Sequence, residues 1–89
     1  MQRIEIHVKG KVQGVSFRAA TQQVAQRLEV FGYAKNESDG SVTIIGEGEE
    51  ANLQKLLNWA TQGPDVARVD EVTHNWVKPT GYFDHFSTL

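Results

Sequence analysis

The chain has 89 residues, nine of them basic and eleven acidic, and its formal net charge is −2. This length fits one small domain with a two-layer core, and the near-neutral charge argues against broad binding to nucleic acid or to a membrane surface. The absence of cysteine excludes a disulfide framework and a thiolate metal site. Because the sequence shows neither a secretory signal nor an apolar run of about 20 residues, we expect a soluble, cytoplasmic protein.

The first half of the chain predicts a strand, a helix and a hairpin. Residues 3–9 alternate between apolar and polar, the pattern of a half-buried strand. Apolar side chains then recur at spacings of three and four, which predicts a helix over 17–29. Residues 31–36 are typical of a second strand, and the turn signal at 38–41 joins it to a third strand at 42–45.

The second half predicts one more helix and one or two strands. The acidic pair at 49–50 begins a second helix, which the Gly-Pro pair at 63–64 ends. Residues 66–76 predict a fourth strand, and a slip in the apolar phase within 69–72 indicates a bulge. After a break, 83–89 is a candidate fifth strand.

This order of elements predicts an α+β, ferredoxin-like two-layer sandwich. With right-handed crossovers, two interleaved βαβ units form an antiparallel sheet with both helices on one face. The usual order in space is four, one, three, two, so the first two strands run the same way on either side of the third. Their C-terminal ends lie at one edge, about 10 Å apart. We therefore expect the loop at 13–18 to face Asn36, at the end of the second strand.

The most informative stretch is the glycine-rich run at 10–18, between the first strand and the first helix. Backbone N–H groups at a helix start lack partners, and the helix dipole favours an anion there. From Ile6 to Leu28 the chain has no acidic residue but four basic ones. An arginine in a first helical turn without acids is explained most simply by a bound anion.

Two side chains are candidates for chemistry. The planar guanidinium of Arg18 suits two hydrogen bonds to a phosphate or carboxylate; the alternative is a solvated arginine, or one paired with Glu37 or Asp39. Asn36 offers a donor and an acceptor that suit the orientation of a water molecule. The alternative interpretation is that Asn36 is an ordinary residue at the start of a turn, and this interpretation is favoured when Asn36 is considered alone.

Other candidate groups are given structural interpretations. The three histidines are scattered along the sequence and lack the spacing of a metal site. Ser16 has no histidine near it in sequence to activate it, so we interpret its hydroxyl as a helix N-cap.

Two segments resemble the signatures of the acylphosphatase family. The run Gly10-Lys-Val-Gln-Gly-Val-Ser-Phe-Arg18 is similar to the first, and Gly32-Tyr-Ala-Lys-Asn36, followed by Gly40, Val42 and Gly48, is similar to the second. The later Gly63-Pro64, Ala67-Arg68-Val69 and Trp76 also resemble the family, so the likeness covers nearly the whole chain. The sequence departs from the family at Glu29, where members often have glycine, and in the tail at 83–89.

The resemblance implies a single acylphosphatase domain over 1–89 with the ferredoxin-like fold. It implies hydrolysis of the carboxyl–phosphate anhydride to a carboxylate and inorganic phosphate without a cofactor or metal, by a monomer acting on a small molecule. Arg18 and Asn36 correspond to the catalytic arginine and asparagine of the family. The phosphate cradle corresponds to the backbone N–H groups of six residues: Gln13, Gly14, Val15, Ser16, Phe17 and Arg18.

The rival interpretation is a non-catalytic binding module, because this fold hosts many functions. RNA recognition needs aromatic side chains on the two central strands, and 4–8 and 42–45 contain none. Metal carriage needs the cysteines that the chain lacks. An acylphosphatase-like domain that binds an anion for a partner enzyme remains the closest alternative.

Overall fold

The computed structural model describes all 89 residues, which form five strands and two helices. Strand β1 covers Gln2–Lys11 and helix α1 covers Phe17–Arg27; the hairpin consists of β2 (Phe31–Asn36) and β3 (Val42–Gly48). They are followed by α2 (Glu50–Ala60), β4 (Arg68–Val77) and β5 (Phe86–Thr88). The elements predicted from the sequence are all present. α1 ends at Arg27, two residues before the predicted bound, and α2 ends at Ala60, before the Gly-Pro pair at 63–64.

The sheet has the order β4-β1-β3-β2-β5, so the predicted order of the first four strands is confirmed. These four pair antiparallel, with Ile6 opposite Ile44 and Ala34 opposite Ile44 on its other side. The tail also joins the sheet, but β5 runs parallel to β2, with Gly32 opposite Phe86. The antiparallel sheet predicted for the first four strands is confirmed, and β5 adds a parallel edge, so the five-stranded sheet is mixed.

The core lies between the sheet and the helices. Alternate residues of β1 and β3 point to one face and are fully buried there, among them Ile4, Ile6, Val8 and Ile44. Leu53, on α2, is buried against the same face, because apolar residues three and four apart line one side of a helix. The other face of the sheet carries mostly polar side chains, together with Ile45 and Tyr33.

The predicted bulge lies in β4. Lys9 is opposite Glu71 while Gly10 is opposite Val69, so Asp70 has no opposite residue on β1. An extra residue in one strand shifts the alternation of its side chains, which explains the slip of phase seen in the sequence.

Helix α1 ends in a left-handed turn at Glu29. The N–H of Glu29 donates to the Gln26 carbonyl, and that of Val30 to the Ala25 carbonyl at 2.9 Å, the two bonds of a Schellman motif. Glu29 has φ 55°, in the region that glycine occupies without steric cost.

The segment that leads to β5 is tied to the sheet by a buried carboxylate. Glu47, on β3, is 2% exposed. Its Oε2 accepts hydrogen bonds from the N–H and hydroxyl of Thr80 at 2.8 and 2.9 Å and from Arg3 at 3.1 Å, and its Oε1 accepts one from the N–H of Gly81 at 2.9 Å. Burial raises the pKa of the Glu47 carboxyl, but the bonds from Thr80, Arg3 and Gly81 together outweigh it, so the pKa lies below its usual value.

The left-handed end of α1 predicts that Glu29→Gly stabilises the protein by about 0.5 kcal/mol, because relief of a left-handed conformation outweighs the extra flexibility of glycine in the unfolded chain. Urea unfolding measures the effect. Gln23→Gly, at an exposed position inside α1, is the control and should instead destabilise by about 1 kcal/mol. A loss of stability in Glu29→Gly would contradict this account of the helix end.

The lowered pKa of Glu47 predicts an acid-sensitive contribution to stability. The folded state binds the Glu47 proton less readily than the unfolded state, so this contribution is complete above the usual glutamate range and is lost as the pH falls through the folded pKa. At neutral pH, Glu47→Gln should lower the free energy of unfolding by about 1–3 kcal/mol, and this deficit should shrink on acidification to about pH 3. A deficit that stays constant in urea unfolding at both pH values would contradict the prediction.

Candidate active site

The connection between β1 and α1 is held in a bent conformation. Its two ends, Val12 and Phe17, are each 1% exposed, and the ring of Phe17 packs on Trp59 with centroids 5.5 Å apart. Between them, Gly14 and Ser16 have left-handed φ angles of 74° and 61°. The turn between the buried ends is therefore short and strongly curved.

The backbone N–H groups of this loop are available to a ligand. None of those from Gln13 to Arg18 donates to another backbone atom of the chain, and the first turn of α1 has no acidic residue. Unpaired N–H groups at the positive end of a helix dipole form an anion site. The loop thus has the electrostatic character expected from the sequence.

Ser16 occupies the N-cap position, but its hydroxyl makes no capping hydrogen bond. A capping residue normally has an extended backbone that directs its side chain to the next turn, whereas Ser16 is left-handed. The interpretation of the hydroxyl as a cap was wrong.

Gln13 joins the loop to the β2–β3 hairpin. Its Nε2 donates to the carbonyl oxygens of Glu37 at 2.7 Å and of Ser41 at 2.9 Å. The hairpin turn is closed by Asp39, whose Oδ1 accepts bonds from the hydroxyl and N–H of Ser41 at 2.5 and 3.0 Å. These bonds from Ser41 lower the pKa of Asp39. The loop and the end of β2 are consequently held side by side.

A single cavity of about 370 Å³ brings the candidate residues together. Its lining comes from the loop, the start of α1, the end of β2 and the end of β5: Val12, Gly14, Ser16, Phe17, Arg18, Ala19, Asn36 and Thr88. The structure therefore places Arg18, Asn36 and the loop around one space, as the topology predicts. The side chains of Gln13 and Val15 do not line it: Gln13 cross-links the loop, and Val15 packs on the core.

Arg18 is held by the end of the chain and not by an acidic side chain. Its Nη1 donates to the carbonyl oxygen of Leu89 at 2.6 Å. The alternative partners are engaged elsewhere, because Glu37 accepts a bond from Thr43 at 2.6 Å and Asp39 bonds to Ser41. Leu89 occupies only one end of the guanidinium, and the remaining N–H donors are free to bind an anion.

Sequence reasoning missed the role of β5 in holding Arg18. The N–H of Leu89 donates to the Ala34 carbonyl at 2.8 Å, and Gln22, on α1, donates to the Phe86 carbonyl at 2.9 Å. The contacts use backbone carbonyls, whose position no residue type reveals. The only signal in the sequence was the apolar Phe86, which is 3% exposed.

Asn36 has an unpaired acceptor in this site. Its side-chain oxygen, Oδ1, is buried and has no hydrogen-bond partner. Buried polar groups almost always have partners, so an acceptor of this kind at a cavity wall suits a hydrogen bond from a ligand or a reacting water.

The histidines lie outside the cavity lining. His7 lies 3.2 Å from the Thr43 hydroxyl, and His85 pairs with Asp84 at 2.6 Å. No group of three or more His, Cys, Asp or Glu side chains is placed to hold a metal ion. No helix has the length and apolar character needed to cross a membrane.

This combination of a ferredoxin-like sheet, an amide-lined loop and an adjacent arginine and asparagine defines a small α+β domain with a candidate anion site. The family model described as acylphosphatase matches residues 4–88. An acylphosphatase from a Roseiflexus species is 40% identical over 89 residues, covering 100% of this chain and 96% of that protein. One from Geotalea uraniireducens is 48% identical over 84 residues, covering 94% of this chain and 92% of that protein.

The fold comparison agrees. The crystal structure of acylphosphatase from Bacillus subtilis superimposes with a TM-score of 0.95 at 31% identity, covering 100% of this chain and 99% of that one. The chain therefore belongs to the acylphosphatase family. It is an enzyme of that family.

The left-handed conformation of Gly14 predicts that Gly14→Ala weakens phosphate binding. A Cβ at Gly14 meets no atom within 4 Å, so the cost is the strain of a left-handed alanine, about 1–2 kcal/mol. If the loop relaxes out of this conformation, the dissociation constant for phosphate rises about tenfold. An NMR titration with inorganic phosphate measures it.

Gly40→Ala is the matched control. Gly40 has φ 93° and equally open space around its Cα, but it lies in the hairpin turn. It should lose similar stability while phosphate affinity stays within about twofold. Equal loss of phosphate affinity in both variants would contradict a specific role of the loop.

Proposed function

We propose that the protein hydrolyses the carboxyl–phosphate bond of small acyl phosphates, with Arg18 and the loop amides binding the phosphoryl group and Asn36 orienting the attacking water. The observation that carries the proposal is the convergence of these three groups on one cavity. Family membership supports the reaction type.

The binding roles follow from charge and geometry. The N–H groups of Gln13 to Arg18 have no backbone partner, and together with the free donors of Arg18 they match the oxygens of a phosphoryl group. Donors that are held in place before the reaction stabilise negative charge on those oxygens, because they need not move as the transition state forms. Leu89 restricts Arg18 by holding Nη1.

The role of Asn36 follows from its unpaired oxygen. Oδ1 accepts a hydrogen bond from water, which directs a lone pair of that water at phosphorus. The P–O bond to the water forms, the P–O bond to the carboxylate breaks, and both protons of the water remain on the released phosphate. Carboxylate is a good leaving group, so positioning and charge stabilisation are sufficient and no cofactor is invoked.

Arg18→Lys should lose both phosphate affinity and turnover. A lysine ammonium supplies a point charge without the planar pair of donors, so we expect the dissociation constant for phosphate to rise at least about tenfold. Benzoyl phosphate hydrolysis and NMR titration with phosphate measure the two effects. Arg27→Lys, the same change at the exposed end of α1, is the control and should leave both unchanged.

Asn36→Ala should lose turnover but keep phosphate affinity. Removal of a positioning group at the reacting centre lowers kcat about a hundredfold or more, while the dissociation constant for phosphate stays within about twofold because Arg18 and the amides remain. Lys35→Ala, the exposed neighbour, is the control. The division of roles fails if Asn36→Ala weakens phosphate binding as much as Arg18→Lys does.

A further inference from the structure

We propose that Glu47 is a positioning residue for Arg18, acting from the opposite end of the sheet through the segment that carries β5. The inference rests on the proposed function, because it assigns Arg18 a role in binding the phosphoryl group. Glu47 lines no part of the cavity, so any effect on the reaction must be transmitted by the chain between Thr80 and Leu89.

The near end of this connection is fixed by Glu47. Its two carboxylate oxygens accept three hydrogen bonds from Thr80 and Gly81, including both backbone N–H groups. Arg3 donates to the same carboxylate and lies over the ring of Phe83, 5.7 Å from its centroid. This ring meets Tyr33 with centroids 5.9 Å apart. The segment is therefore bound to the face of the sheet opposite the helices before it reaches β5.

The far end of the connection holds Arg18. The carbonyl of His85 accepts a bond from Gly32 at 3.0 Å, and β5 continues beside β2 until Leu89 donates to Ala34. The carbonyl oxygen of Leu89 then accepts the bond from Arg18. Each link between Thr80 and the guanidinium is thus a hydrogen bond or a chain connection seen in the structure.

Strand β5, which lies between these two ends, contributes little stability by itself. β5 has three residues, runs parallel, and forms an edge of the sheet; short parallel pairs contribute little stability. Buried Phe86 is its main apolar anchor. The Glu47 carboxylate holds the start of the segment that leads to β5. Without it, the position of Leu89 is less restricted, and so is the guanidinium of Arg18.

Glu47→Gln breaks this attachment with little change in size. A glutamine amide presents one oxygen and one NH₂ group, so one of the backbone N–H groups of Thr80 and Gly81 faces a donor. Glu5→Gln is the matched control, since Glu5 also pairs with Arg3, at 3.7 Å, but makes no bond to the 80–81 turn.

The test is a double-mutant cycle between Glu47→Gln and Arg18→Ala, read as the dissociation constant for inorganic phosphate in an NMR titration. Far-ultraviolet circular dichroism confirms that every variant is folded at the temperature used. We expect Glu47→Gln to weaken phosphate binding about tenfold in the wild-type background and less than about twofold in Arg18→Ala. Glu5→Gln should have no effect. The Nε–H resonance of Arg18 should shift and broaden in Glu47→Gln and not in Glu5→Gln.

Equal losses in both backgrounds, or no loss in Glu47→Gln, would overturn the inference while leaving the proposed function intact. Failure of the proposed function has a different signature, in which Arg18→Ala alone leaves phosphate binding and hydrolysis unchanged. If Glu47→Gln does not fold, Thr80→Val replaces it in the cycle. It removes one bond to Glu47 and should weaken binding about two- to threefold only when Arg18 is present.

Discussion

The bent connection between β1 and α1 is the constraint on which the site depends. A chain that leaves a strand and enters a helix over five residues cannot pair all its N–H groups, and here those groups face outward because both ends of the connection are buried. Gly14 and Ser16 provide the left-handed angles that this curvature requires. The same conformation that leaves the amides unpaired suits them to an anion, so the fold and the proposed binding have one physical origin.

The remaining site residues are placed by topology. Because β3 lies between β1 and β2 and is antiparallel to both, the loop and Asn36 must meet at one edge of the sheet. The order of elements and the right-handed crossover rule are enough to predict that the loop and Asn36 lie close together. The bulge at Asp70 also followed from a local pattern, since it disturbs the alternation of β4 in the sequence itself. The left-handed Glu29 did not, because the apolar spacing had placed residue 29 inside the predicted helix.

What the sequence did not reveal depends on backbone groups or on long-range burial. The parallel β5 has only three residues, too few for a periodic signal, and its contact with Arg18 uses a carbonyl that every residue possesses. Nothing in the local sequence marks Glu47 as buried, yet it is 2% exposed because the distant 80–81 segment folds over it. Trp76 is a large aromatic residue that is nevertheless 40% exposed, since β4 is an edge strand that the helices cover incompletely.

The site contains a side chain that the binding of an anion alone does not require. Amides and a guanidinium suffice to hold phosphate, whereas the unpaired oxygen of Asn36 has a use in the proposed mechanism, where it directs a water at the bound group. This difference separates an enzyme from a domain that holds an anion for a partner. The most direct measurement is the initial rate of benzoyl phosphate hydrolysis, followed by ultraviolet absorbance with EDTA present, for the wild type beside Arg18→Ala. We predict rapid loss of substrate with the wild type and a near-background rate with the variant; equal background rates in both would contradict catalysis at this site and favour a binding module.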